Sequence, residues 1–153
     1  MSDLSIRPAV QADLPAIVAL LADDPISGAG DDPSLPLDPR YLAAFAAISA
    51  RPDSQLMVAA DGEEVVGVLQ LTFIPGMIRR GAWRAYVESV HVRSDRRSRG
   101  IGARLIAWAV DKARARGDCP FLQLTSNKRR TDAHRFYDRL GFHRTSEGFK
   151  LLL

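Results

Sequence analysis

Two glycines sit one residue apart in Arg97-Ser98-Arg99-Gly100-Ile101-Gly102, where an apolar strand-like run gives way to a helix-like one. A strand, a glycine turn and a helix start in that order make an anion site. The first-turn N–H groups have no intrahelical partner, and the helix dipole favours negative charge there. Gly100 and Gly102 carry no side chain to hold a phosphate away from those amides. Two well-known anion loops do not fit. The dinucleotide fingerprint needs a third glycine where Leu105 stands, and the nucleoside-triphosphate loop needs a Gly-Lys-Ser/Thr ending that is absent. The glycine pair alone leaves three readings: a cofactor phosphate, a nucleic-acid backbone, or a solvated basic turn.

A second residue out of place is Glu88, a carboxylate inside the apolar run "AYVESVHV", where strand interiors disfavour it. It reads as a proton acceptor, a substrate anchor or a solvated strand residue. Strand alternation puts His91 on the face opposite Glu88 unless a bulge intervenes, which makes His91 the weaker base. His91, His134 and His143 show no metal-ligand spacing together with Glu88, and no metal is expected.

The elements that must position these residues follow from pattern and punctuation. "LSIRPA" (4–9) reads as a strand and "QADLPAIVALLAD" (11–23) as a helix, with Asp13 as cap and Pro15 in its first turn. The Asp/Pro/Gly-rich stretch 23–39 is loop, and a helix follows over 39–50. Two apolar runs joined at Asp61-Gly62 predict a hairpin, and residues 82–92 a third long strand. A long helix runs from the glycine loop to Gly117, then a short strand "PFLQLTS", then a helix from Thr131 to Gly141. "FHRTSEGFKLLL" (142–153) predicts one bent strand or a small hairpin. The order is that of a mixed α/β domain, 1–153, with no visible boundary.

The run "VHVRSDRRSRGIGARL" resembles the acetyl-CoA pyrophosphate loop of the GNAT superfamily of N-acyltransferases, Gln/Arg-x-x-Gly-x-Gly/Ala. The resemblance extends to "LQLTSNKRRTDAHRFYDRLGF", a strand, an Asn and a helix ending in Tyr-x-x-x-Gly-Phe, and to the opening "IRPAVQADLPAIVAL". It is weakest across 23–55. It implies a central mixed, mostly antiparallel sheet of six or seven strands flanked by about four helices. It further implies that the amides of Arg99, Gly100, Ile101, Gly102 and Ala103 cradle the pyrophosphate. Arg97 takes the motif's first position, and Arg104 approaches another phosphate. Val90 and Val92 pair with the pantetheine arm, and Asn127 contacts the cofactor. One departure stands out: three extra residues lie between Asn127 and Ala133, so Lys128, Arg129 and Arg130 either reach the 3′-phosphate of CoA or form an exposed basic loop.

The implied reaction moves an acetyl group from acetyl-CoA to a primary amine by direct attack in a ternary complex. It needs an acceptor for the amine proton and a donor for the leaving thiolate. The resemblance gives the donor's role to Tyr137, whose phenol is ordinarily protonated at neutral pH, and the acceptor's to Glu88, directly or through water.

Composition bounds the remaining readings. The chain's 153 residues with 46% hydrophobic and 25% charged suit one globular domain, and the lone Cys119 excludes an internal disulfide. "MSDLSIRPAV" lacks the pattern of a signal peptide, and "YLAAFAAISA" (41–50) is too short to span a bilayer, so a cytoplasmic protein without membrane contact is expected. The net charge of +3 is unevenly placed. Residues 1–76 hold three basic against eleven acidic residues, a net −8, and residues 77–153 hold 18 against 7, a net +11. That split suggests a basic half for an anionic cofactor and an acidic loop for a small cationic amine. Alternatives are acetylation of a protein Lys or N-terminal amine, and a non-catalytic CoA-binding or nucleic-acid-binding module. Nucleic acid is not the expected partner, since aromatics are not interleaved with the basic run. A homodimer is compatible with the resemblance, though no stretch demands one.

Overall fold

The computed structural model describes residues 3–153. Five strands form one sheet in the order β1 (Leu4–Pro8), β2 (Ser54–Asp61), β3 (Glu64–Ile74), β4 (Arg84–Val92), β5 (Leu122–Gln123). Neighbours from β1 to β4 are antiparallel, and β5 joins β4 in parallel. β2 and β3 close as the expected hairpin, with Gly62 in the left-handed conformation that the tight turn requires (φ 62°).

Helices cover both faces. On one side α1 (Leu14–Ala22) packs Leu14, Ile17 and Leu20 against Val58, Val65 and Val68, with α2 (Pro39–Ser49) contributing Phe45. On the other, α4 (Ile101–Arg116) presents Ile101, Leu105, Ile106, Ala109 and Ala113 to Ala59, Val66, Leu69, Leu71, Ala85 and Val87. Burying each of the large aliphatic side chains here contributes about 1.5–3 kcal/mol. The four-residue α3 (Ile78–Gly81), between β3 and β4, is a left-handed turn, with Arg79 and Arg80 at φ 53° and 61°. α5 (Thr131–Arg139) completes the second face. Gly117 ends α4 in the left-handed conformation (φ 80°), and Arg116 stacks 3.9 Å from the Trp83 ring centroid, fixing that end to the start of β4.

The element order agrees with the sequence reading, and three details differ. A 3-10 turn (Gln11–Asp13) precedes α1, and Asp13 is buried. Its Oδ2 accepts from the Val10 N–H (2.8 Å) and from Arg7 (2.7 Å) rather than capping α1. The fifth strand is only two residues long. Residues 142–153 form neither a strand nor a hairpin, so the sheet has five strands among the described residues instead of six or seven. No helix among the described residues is long and apolar enough to cross a membrane.

Candidate active site

The site is built where the sheet opens. β4 pairs with β5 only at Ala85↔Leu122 and Tyr86↔Gln123, so the β5 side of β4 is unpaired from Val87 onward. Tyr86 Oη and Thr125 Oγ1 bridge the mouth at 3.1 Å. Arg93 N donates to Val66 O on β3, so alternation turns the polar groups of Val92 to the open edge. There Val92 O accepts from Arg97 Nε (3.2 Å). The side chains of Val90 and Val92 pack on the α4 face.

β4 carries a bulge. Gln70 pairs with Glu88 and Val68 with His91, so that Leu69 alone on β3 faces two residues, Ser89 and Val90, on β4, with Ser89 at φ 57°. The bulge cancels simple alternation and brings Glu88 and His91 to the same face, the one covered by α1. The Glu88 side chain is exposed there and makes no hydrogen bond among the described residues.

The glycine loop follows β4 directly. Ser98 and Gly100 both take positive φ (61° and 79°), and a Cβ at Gly100 would meet nothing within 4 Å. Arg104 N donates to Gly100 O, the first helical bond, which leaves the amides of Ile101, Gly102 and Ala103 without intrahelical partners. Gly102 has a different reason to be glycine. Its Cβ would lie 3.0 Å from Phe136 Cζ and 3.7 Å from Val92 Cγ2, so it lets α4, α5 and β4 converge. The arginines divide. Arg104 Nη2 donates to Leu4 O (3.2 Å), whereas Arg99 is exposed. Arg96 pairs with Asp61 (2.6 Å) and Glu64 (3.3 Å), pinning the loop to the β2–β3 turn.

Tyr137 follows Phe136 on α5 and stacks edge-on between Phe136 and Phe142, at centroid separations of 5.1 and 5.6 Å. Burial pushes its hydroxyl pKa up, against a smaller opposing effect of Arg130, so the phenol holds its proton at neutral pH. The side chain of Asn127 is engaged in its own turn, with Oδ1 accepting from Arg129 N (2.9 Å). Its carbonyl O lies 2.8 Å from His134 Nε2.

A polar cluster that the sequence reading did not assemble lies beside Tyr137. Asp24, at the end of α1, has a side chain only 3% exposed, with Arg130 Nε at 3.8 Å and His91 Nδ1 at 4.0 Å. Burial pushes its carboxyl up. Donation from Ile26 N (2.8 Å), Ser27 Oγ (2.7 Å) and Ser27 N (3.3 Å), with the Arg130 charge, outweighs that and holds the pKa at about 2. Burial and the charge of Arg130 lower the pKa of His91, which is therefore neutral at pH 7. Arg130 thus turns to a buried carboxylate. The other loop carboxylates are engaged locally: Asp38 with Arg40 N and the Arg40 guanidinium, Asp31 with Tyr41 Oη, Asp32 with Ser34 N. The acidic loop is therefore largely self-satisfied rather than an open cation-binding wall. No group of three or more metal-ligating side chains gathers among the described residues. Two shallow hollows, of about 350 and 220 Å³, are lined by neither Tyr137 nor the glycine loop.

The family model described as acetyltransferase (GNAT) family matches the chain over residues 15–142. The chain belongs to the GNAT family. It is 33% identical over 102 residues to an aminoalkylphosphonate N-acetyltransferase of Salmonella typhimurium, covering 67% of this chain and 65% of that one. It is also 33% identical over 121 residues to an L-methionine sulfoximine/L-methionine sulfone acetyltransferase of Pseudomonas aeruginosa, covering 74% and 65%. The chain thus matches about 65% of the length of these curated relatives. Among solved structures, a transcriptional regulator from Bacillus halodurans C-125 superposes with a TM-score of 0.94 at 41% identity, covering 98% and 99% of the two chains. A Trypanosoma brucei acetyltransferase gives 0.79 at 25%, covering 99% and 100%. The chain is a mixed α/β domain with helices on both sheet faces.

Proposed function

We propose that this protein is an acetyl-CoA-dependent N-acetyltransferase acting on the primary amine of a small molecule. The observation that carries the reading is the loop at 97–103. Two left-handed residues, open space at Gly100 and three amides without partners fit a pyrophosphate held at a helix start. The amides of Arg99 through Ala103 take the phosphate oxygens, and Arg97 lies within reach of the same edge. The Val90–Val92 segment offers backbone groups to an extended pantetheine arm. Acetyl-CoA supplies the activated thioester.

The chain's own groups handle the protons. Tyr137, protonated and half-buried, donates to the departing thiolate. The amine proton goes to Glu88, directly or through water, with neutral His91 on the same face as a second acceptor. The acetyl group passes to the amine by direct attack within a ternary complex. The two curated relatives are named for small molecules, which supports a small acceptor over a protein Lys or N-terminal amine. With its loop carboxylates engaged locally, the chain offers little to select a strongly cationic amine.

A panel of small primary amines, assayed by thiol release from acetyl-CoA, tests the reading. Turnover with at least one amine and loss of turnover in Tyr137→Phe are expected, and thiol release by no member of the panel would count against it. The neighbour described as a transcriptional regulator favours a second reading, nucleic-acid binding through the basic half. That reading requires affinity that falls steeply with salt, yet Arg93, Arg96, Arg116, Arg130 and Arg144 are already paired with carboxylates.

A further inference from the structure

Arg130 carries donors that nothing in the chain accepts. Its side chain is only 28% exposed, yet none of its side-chain N–H groups makes a hydrogen bond among the described residues. A guanidinium has several such donors, and a largely buried one without a partner calls for one. Asp24 does not fill that need. Its Oδ1 already accepts from Ile26 N (2.8 Å) and Ser27 N (3.3 Å), and its Oδ2 from Ser27 Oγ (2.7 Å). At 3.8 Å from Arg130 Nε it balances the charge without a hydrogen bond.

The direction of the guanidinium follows from that contact. Nε is the atom that faces Asp24, so the Nη1–Nη2 edge, a planar fork suited to an oxyanion, lies on the far side. The groups of the proton path adjoin it. His91 Nδ1 lies 4.0 Å from the same Asp24 Oδ2, and Glu88 shares the His91 face of β4. Arg130 is the residue before α5, and Tyr137 follows it by two helical turns, so both project from one side of α5. The charge of Arg130 is felt at both rings, lowering the pKa of His91 and opposing the rise at Tyr137. By reaching Asp24 at the end of α1, the guanidinium stands on the α1 side of the sheet with Glu88 and His91. The glycine loop opens α4 on the other side.

We propose that Arg130 determines acceptor specificity, its free edge taking an oxyanion carried by the amine substrate while Asp24 positions the guanidinium. The acceptor is then a small amine with a carboxylate or a like oxyanion on the same molecule. This inference rests on the acetyltransferase reading and names the substrate class of that site. It reverses the expectation that the charge split raised. The acidic loop is satisfied within itself, and the cation beside the proton path belongs to the chain, so the anion belongs to the acceptor. The 3′-phosphate of CoA is the other oxyanion to weigh, and the placement of Arg130 with Glu88 and His91 favours the acceptor.

The test extends the amine panel with matched pairs, each a carboxylate and its amide, such as glycine with glycinamide and β-alanine with β-alaninamide. Thiol release is measured for the native protein, Arg130→Gln and Arg130→Lys, and the carboxylate-to-amide ratio of kcat/KM is compared between proteins. The native protein should prefer the carboxylate by on the order of tenfold or more, chiefly through KM. Arg130→Gln should lose that preference with its calorimetric affinity for acetyl-CoA unchanged. Arg130→Lys keeps the charge opposite Asp24 but not the fork, so it should melt like the native protein and recover only part of the preference. If Arg130→Gln does not fold, the native pairs and Arg130→Lys decide. Equal turnover of both members of each pair, or turnover confined to amines without an oxyanion, overturns this inference and leaves the acetyltransferase reading standing. So does a full preference in either variant, or a matching loss of acetyl-CoA affinity in Arg130→Gln, which would assign Arg130 to the cofactor. Thiol release with no amine overturns both.

Discussion

Replacing Asp24 by Asn tests whether the buried cluster beside Tyr137 is organised by a charge. In the native chain the carboxylate accepts three hydrogen bonds within its own turn and faces Arg130 at 3.8 Å. Its pKa is about 2, against 3.8 for an unperturbed Asp. A folded-state pKa below the unfolded value contributes stability that is complete above the unfolded pKa and lost as pH falls through the folded one. The difference corresponds to about 2 kcal/mol at neutral pH, at about 1.4 kcal/mol per pH unit. Asn keeps one acceptor and loses the charge, so Asp24→Asn should destabilise the protein by about 2 kcal/mol at pH 7, a fall in Tm of roughly 4–8 °C. The gap between native and variant should shrink to roughly half by pH 3, as the native carboxylate loses its advantage. Urea unfolding of both proteins between pH 7 and pH 3 measures this. A gap that stays constant across the range, or none at pH 7, would refute the argument that ionised Asp24 holds α1 to Arg130.

Other substitutions address the loop and the proton path. Gly100→Ala forces a left-handed backbone on a residue with a Cβ, at a cost of about 1–2 kcal/mol; calorimetric titration should show weaker acetyl-CoA binding in a folded protein. Gly102→Val acts on packing, since its Cβ would start 3.0 Å from Phe136 Cζ. It should lower stability by about 1–3 kcal/mol, read as a lower denaturation midpoint. Tyr137→Phe should reduce kcat on the order of 100-fold with little change in the KM for acetyl-CoA, because the hydroxyl acts on the leaving group; steady-state kinetics with a turned-over amine checks this split.

Much of this was legible in the residues. Periodicity and punctuation located β1, the β2–β3 hairpin, β4, α4 and α5, because Gly62 and Gly117 mark positions where the backbone turns left-handed. The glycine loop was legible for the same reason. What local pattern could not show depends on tertiary placement. The bulge at Ser89 that moves His91 to the face of Glu88 has no residue signal, since neither Gly nor Pro marks it. Asp24 read as one more loop aspartate, and its burial against Arg130 joins residues more than a hundred positions apart. Gly102 read as clearance for a phosphate, whereas its Cβ direction is toward Phe136. The final segment has the alternation of a strand, yet residues 142–153 form none, because alternation alone supplies no pairing partner.

The most direct test of the account is calorimetric titration of the purified protein with acetyl-CoA, alongside the Gly100→Ala variant. The account predicts saturable binding that CoA competes for, and at least about tenfold weaker affinity in the variant, corresponding to 1.4 kcal/mol. No heat of binding at about 1 mM acetyl-CoA, or equal affinity in a folded variant, would contradict the assignment of residues 97–103 as the pyrophosphate site.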